Sequence, residues 1–292
     1  MEYEGIIYRP PSEARSLILQ VTVGCAHNTC TFCNMYRQKN FRIRPLPDIL
    51  GDIRELEAGG YGPYIRRVFL ADGDALAMGT EELLSVLREI RRCFPAAGRV
   101  SAYARADDVL RKTPEELLLL REAGLTLFYL GAESGDDGIL EAIHKGVSSA
   151  DLIAAAQRMR GVGIGSSVTL ISGLGGQEKM EIHAKASAKL ITAMRPEYAA
   201  FLTLRLYEGT PMYEDAASGR FRRITPDQIM DEMEIFLTHV DSPGTVFRSN
   251  HASNYLALAG TLNGDIPKML AQVRRARDGH RYRRFRETGD LL

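Results

Sequence analysis

Three of the chain's four cysteines lie within nine residues, in GCAHNTCTFCNMY (24–36), spaced Cys25-x4-Cys30-x2-Cys33. Thiolates grouped this closely suit a soft metal or an iron–sulfur cluster. A structural zinc site closes with four ligands, and His27, inside the same loop, is the fourth donor at hand. Three thiolates without a fourth make sense if one iron of a four-iron cluster stays open, because an open position separates catalytic from structural metal sites. Cys93, in RRCFP at a helix end, reads as a small buried hydrophobe.

Other groups able to do chemistry follow strand-like runs. In FLADGDALAM, Gly73 lets backbone approach a ligand closely, and Asp72 and Asp74 suit an ammonium; a solvated turn uses the same residues. In LGAESGDDGILEAIHKG, Glu133 could accept from two vicinal hydroxyls and Lys145 could neutralise a carboxylate. The same two residues also suit the ends of a helix dipole. LISGLGGQE (170–178) is glycine-rich around Gly173 and Leu174. Arg105, just past AYA, is placed to meet an anionic group, and Tyr207 lies in LRLYEGTPMYE. In RSNHASNYLALAGTL, Arg248, Asn250, His251, Asn254 and Tyr255 either recognise a polar substrate or brace a loop. The stretch RRARDGHRYRRFRETGD carries seven arginines with Tyr282 and Phe285, a composition able to track a phosphate backbone.

These groups need a frame. Runs at 16–23, 66–71, 99–104, 125–132, 164–171 and 197–206 read as strands, several of them apolar almost throughout, as in a parallel sheet buried on both faces. Amphipathic helices alternate with them. TPEELLLLREAG opens with a Thr113–Glu116 capping box and Pro114 at the first helical position, and TPDQIMDEMEIFLTHV repeats the device at Thr225 and Gln228. TEELLSVLREIRRC starts at Thr80 with acids in its first turn. Strand–helix alternation predicts α/β units around a parallel sheet. Six units are too few for an eight-fold barrel, so the expected fold is a partial (β/α)6 TIM-like barrel whose strand-end loops build the site. Residues 1–215 form this core, and residues 216–292 form a short helical and loop extension covering its mouth. Lysine plus arginine equals aspartate plus glutamate, 37 each, so no net charge draws the chain to nucleic acid or membrane. No secretory signal or bilayer-spanning run is visible, and a cytoplasmic protein is expected.

Taken in order along the chain, these segments resemble the radical S-adenosylmethionine (SAM) superfamily, in the subgroup that includes Elp3-like and methylthiotransferase-like members. Its cluster loop is CxxxCxΦC, and Phe32 holds the aromatic position, although the first gap here is four residues. The resemblance covers about residues 14–215 and implies a [4Fe–4S] cluster on Cys25, Cys30 and Cys33. It implies SAM held by the backbone around Asp72, Gly73 and Asp74, by Glu133 on the ribose, by Lys145 on the methionyl carboxylate and by Gly173 and Leu174 along the adenine. It further implies reductive cleavage of SAM to a 5′-deoxyadenosyl radical, with the electron from flavodoxin or ferredoxin. No second cysteine set is present for an auxiliary cluster. A minimal core of this kind suits oxidation, rearrangement, decarboxylation or epimerisation of a small polar metabolite, with Arg105, Tyr207, His251 and Asn254 as substrate-facing candidates. A tRNA substrate bound by the basic C-terminal stretch is the alternative, and a non-catalytic metal-bound scaffold is a second.

Overall fold

The computed structural model describes residues 1–283, and the chain divides into two compact units. The first comprises residues 1–28, 35–130 and 157–166. Its strands are β1 (Leu17–Gln20), the short pair β2 (Thr22–Val23) and β3 (Arg42–Ile43), β4 (Arg67–Ala71), β5 (Arg99–Ala104) and most of β6 (Leu125–Glu133). β1, β4, β5 and β6 lie side by side in that order, all parallel, with Leu17 opposite Val68, Val68 opposite Val100 and Tyr103 opposite Tyr129. Its helices are α1 (Leu46–Ala58), α2 (Thr80–Cys93), α3 (Ala106–Arg111) and α4 (Pro114–Glu122). One sheet face is packed with Ile18, Phe69, Ala71, Leu127 and Tyr129. Phe69, Tyr103 and Tyr129 meet edge to face there, with ring centroids 5.0, 5.8 and 6.2 Å apart, an arrangement that adds to plain area burial.

The second unit comprises residues 29–34, 131–156 and 167–292, described to residue 283. It holds α5 (Asp137–Ala142), much of α6 (Ser149–Gly161), β7 (Gly165–Ser172), α7 (Gly176–Met194), β8 (Tyr198–Thr203), α8 (Pro211–Ala217), α9 (Pro226–His239), β9 (Val246–Ser249), β10 (Leu258–Thr261) and α10 (Ile266–Asp278). β7, β8 and β9 run parallel and β10 closes on β9 antiparallel. Phe201, Phe236 and Phe247, all buried, make its aromatic centre, Phe236 stacking on Phe247 at 5.8 Å.

The helix signals behave as their chemistry requires. Thr113 and Thr225 each accept from the backbone N–H three residues on, and Glu116 and Gln228 return the bond. α2 presents Leu83, Leu84, Leu87 and Ile90 as its buried stripe. Two expectations change. The run 16–23 is not one strand: after Gln20 the chain leaves the sheet, Arg44 donates from its backbone to Val21 O at 3.0 Å, and Thr22 pairs with Ile43 in an antiparallel ladder. An unbroken apolar pattern carries no mark of such a break. In addition, residues 216–292 contain the hairpin β9–β10 besides helices, so Arg248 sits on a strand and not in a loop. Strands of four residues are too short to declare a period. No described helix is long and apolar enough to cross a membrane.

Candidate active site

In the first unit the break after β1 sets the position of Cys25. Gly24, in the left-handed region at φ 77°, turns the chain out of β2, and three contacts strap this turn to the end of β4. Asp72 N donates to Thr22 Oγ1 (3.2 Å), Gly24 N donates to Asp72 Oδ2 (3.3 Å), and Gly73 N donates to Gly24 O (3.1 Å). Asp72 is fully buried, and its charge is met by Lys39, whose Nζ stands 2.7 Å from Oδ2 and also donates to Ile6 O at 2.6 Å. The Asp72 carboxylate is therefore a structural clamp.

Gly73 is required for a steric reason. A Cβ there would lie 2.7 Å from the Tyr36 ring and 3.0 Å from both Cys25 Cβ and Gly24 O. Gly73→Ala is expected to push the Cys25 turn away at a cost of about 1–3 kcal/mol. The check is iron bound per chain after anaerobic reconstitution, expected to fall well below wild type; full iron loading at an unchanged unfolding midpoint would contradict the packing argument.

Asp74 differs from Asp72. It is fully buried, and no N–H or hydroxyl among the described residues donates to either carboxylate oxygen, which leaves the Asp108 carboxyl as its hydrogen-bonding neighbour. Burial, then the neighbouring Asp108 carboxyl, push Asp74 up to about 9, against the pull of Arg105. Without a cation beside it, Asp74 stays protonated at neutral pH. Arg105 caps the start of α3 with its guanidinium 3.0 Å from Asp107 and 4.0 Å from Asp108, so its charge is shared with two acids on its own helix.

In the second unit, Cys30, Phe32 and Cys33 sit on a turn in which Cys33 N donates to Cys30 O at 3.3 Å. Thr31 anchors it, donating its N–H to Ile143 O (3.0 Å) and accepting from Met212 N (3.1 Å). All four cysteines are thiols, with Cys25, Cys30 and Cys33 partly exposed. No group of three or more His, Cys, Asp or Glu side chains among the described residues is gathered as a metal site. Glu133 ends β6 in the left-handed region at φ 66°, a conformation that costs a non-glycine residue about 1–2 kcal/mol. Its Oε1 meets Lys145 Nζ at 2.8 Å, both side chains being largely shielded. Gly131 makes room, since a Cβ there would lie 2.3 Å from Glu133 Oε1.

The remaining expected residues are placed as follows. Gly173 follows β7 at φ 86°, but its N–H is engaged by Glu232 (3.0 Å), and Leu174 is buried. Asn254 is also interior: its amide nitrogen donates to Phe201 O (2.7 Å) and its oxygen accepts from Thr203 Oγ1 (3.0 Å). A void of about 10 Å³ lies beside it, enough for a single water at most. Asn254 thus clamps β8. His251 Nδ1 pairs with Ser253 Oγ at 2.8 Å, and burial, then the charge of Arg205, lower its pKa. Tyr207 lies in the turn that Thr210 closes through Oγ1 at 2.6 Å from Tyr207 O.

The sequence reading missed a buried network behind these loops. Glu232, on the core side of α9, accepts from Ser172 Oγ and Gly173 N. His183 Nε2 lies 3.8 Å from Glu232 and 3.0 Å from Ile171 O, and His183 Nδ1 meets Ser134 Oγ at 2.8 Å. Ser134 Oγ accepts from Asp136 N at 3.1 Å. The segments after β6 and β7 are thereby tied to one another. An acid among Ile229, Met230, Met233 and Phe236 was the visible signal.

Of the basic C-terminal stretch, residues 284–292, including Phe285, lie outside the described residues. Within the described part, Arg274 pairs with Glu234 (2.8 Å), Arg277 with Asp231 and Glu234 (2.7 Å each), and Tyr282 with Asp227. Cys93 is buried as expected, yet its thiol is not merely apolar filling: it donates to Glu57 at 3.1 Å.

Parallel strands alternate with helices, which makes the chain an α/β protein, and its three clustered cysteines follow the first strands. The Radical SAM superfamily model matches residues 19–186, more than half of the chain, and the chain belongs to that family. Its members bind a [4Fe–4S] cluster and SAM, which are accordingly this chain's cofactors, and they need an external reductant. The chain is 23% identical over 225 residues to the heme chaperone HemW of Bacillus subtilis, covering 75% of this chain and 58% of that protein. It is 26% identical over 154 residues to the threonylcarbamoyladenosine tRNA methylthiotransferase MtaB of Rickettsia prowazekii, covering 49% of this chain and 34% of that protein. The archaeal Elp3 of Methanocaldococcus infernus superposes with a TM-score of 0.53 at 16% identity, covering 91% of this chain and 64% of that one. That likeness is one of fold, the partial β/α barrel. The chain spans less than two thirds of both curated relatives.

Proposed function

We propose that the protein cleaves SAM reductively and removes hydrogen from a small polar molecule, with Cys25, Cys30 and Cys33 as the cluster's thiolate ligands. The observation that carries this reading is Asp74, a buried acid that meets another acid, Asp108, and no N–H donor, next to the glycine packed on Cys25. A cation is what such a group lacks, and SAM brings an ammonium. Bound together, cluster and SAM would supply one-electron reductive cleavage of the sulfonium and, from it, hydrogen abstraction from the substrate. The chain's residues bind and orient. Asp74 receives the methionyl ammonium, Lys145 the carboxylate and Glu133 the ribose hydroxyls. The Glu133–Lys145 ion pair compensates both charges before a ligand arrives. Flavodoxin or ferredoxin delivers the electron.

An RNA substrate is less well supported, because Arg274 and Arg277 are spent on acids of α9. Family membership speaks against the scaffold reading. The test is anaerobic reconstitution with iron and sulfide, then SAM and dithionite, with 5′-deoxyadenosine as the readout. A protein that takes up zinc and binds no SAM would refute the reading.

Asp74→Asn is expected to weaken SAM binding to the cluster-loaded protein by about 10- to 100-fold, the usual worth of a hydrogen bond to a charged group. Equilibrium dialysis checks this, and unchanged affinity would remove Asp74 from the ammonium site.

A further inference from the structure

A cavity of about 280 Å³ opens in the second unit beyond the C-terminal end of β8. Leu204, Arg205 and Leu206 continue the strand along one wall, Tyr213 and alanines of α8 form another, and Arg223, just before α9, supplies the third. In β/α folds, loops beyond the C-terminal ends of parallel strands are where ligands bind. The volume is near the lower end of small-molecule sites, about 300 Å³.

Charge decides what the cavity takes. Two arginines line it and no acid does. Residues 220–223 contain three arginines, and two are neutralised: Arg220 meets Asp215 at 2.6 Å and Arg222 meets Glu178 at 2.5 Å. Arg223 lines the cavity and makes no ion pair among the described residues. Arg205 carries its charge far enough to help lower the His251 pKa. A guanidinium is a planar fork matched to oxyanions, and the leucine and alanine walls suit a hydrocarbon body.

We propose that this cavity binds the substrate's oxyanion, a carboxylate or a phosphate, through Arg205 and Arg223, with the apolar body of a small molecule against Leu204 and Leu206. The substrate role rests on the radical SAM reading; the anion site does not.

The full-length, cluster-loaded protein is titrated by calorimetry with 3-phenylpropionate, phenyl phosphate and the uncharged 3-phenylpropionamide. At least one anion is expected to bind at least tenfold more tightly than the amide, the tighter of the two naming the oxyanion. Arg223→Gln is expected to weaken that anion at least tenfold, whereas Arg220→Gln, outside the cavity and already paired, leaves it unchanged. Circular dichroism of both variants guards against misfolding. Failure of both anions to bind, equal binding of the amide, or full binding by Arg223→Gln would overturn the site. If the anion binds but wild type releases no 5′-deoxyadenosine under any substrate screened, the radical reading falls and the substrate role with it.

Discussion

Cys30→Ala protein, reconstituted and assayed beside wild type, is expected to release 5′-deoxyadenosine at least about a thousandfold more slowly, a loss of some 4 kcal/mol in barrier terms. Cys25→Ala and Cys33→Ala should behave alike, since a cluster held by three thiolates has no spare ligand. The fold should survive each change. The turn carrying Cys30 and Cys33 is held by backbone bonds of Thr31 to Ile143 and Met212, none of which uses a thiol. Cys93→Ala is the contrasting variant. Burial pushes the Cys93 thiol up to about 11, so it stays neutral and is no thiolate ligand. Its removal should cost stability on the order of 1 kcal/mol and leave 5′-deoxyadenosine formation near wild type. Retained activity in Cys30→Ala, or loss in Cys93→Ala, would redraw the ligand set.

What the sequence could and could not disclose follows from the range of the interactions involved. Strand–helix alternation and the Thr-Pro capping boxes are local, and they put the helix starts at Pro114 and Pro226 where the structure has them. The cysteine loop was legible because its chemistry is compressed into nine residues. Glu133 and Lys145 stood out in sequence as separate candidate ligand contacts, and their ion pair across the short α5 appears only in the structure. Asp72 and Asp74, by contrast, look alike in sequence. Lys39, brought from 33 positions away, gives Asp72 an ion pair, and Asp74 makes none among the described residues. Asn254 and His251 lie in a polar segment that reads as exposed chemistry, and sequence alone does not show that their hydrogen bonds reach β8 and Ser253. Arg205 and Arg223 meet only once β8 ends and the chain returns from α8, so no spacing announced them.

Glu232→Gln is expected to flatten a decline in stability with pH that wild type shows, because the acid is buried with its proton on. Burial raises this carboxyl to about 8, against 4.5 ordinarily, while the bonds from Ser172 and Gly173 pull the other way. Below pH 4.5 both folded and unfolded chains hold the proton, and the favourable contribution is complete. Between 4.5 and 8 the unfolded chain has released it and the folded one has not, so stability falls as pH rises and the contribution is gone above about 8. The whole range is worth about 5 kcal/mol, and the interval from pH 6.5 to 8 about 2 kcal/mol. His183 titrates with the opposite sign: burial lowers it from 6.5 to about 4, so its contribution is lost as pH falls through that range. Above pH 6.5 it is neutral in both states, which makes 6.5 to 8 the interval to measure. Urea unfolding of wild type and Glu232→Gln there should give stabilities whose difference changes by about 2 kcal/mol. A constant difference would mean that Glu232 ionises without cost and that the Ser134–His183–Glu232 network is wet.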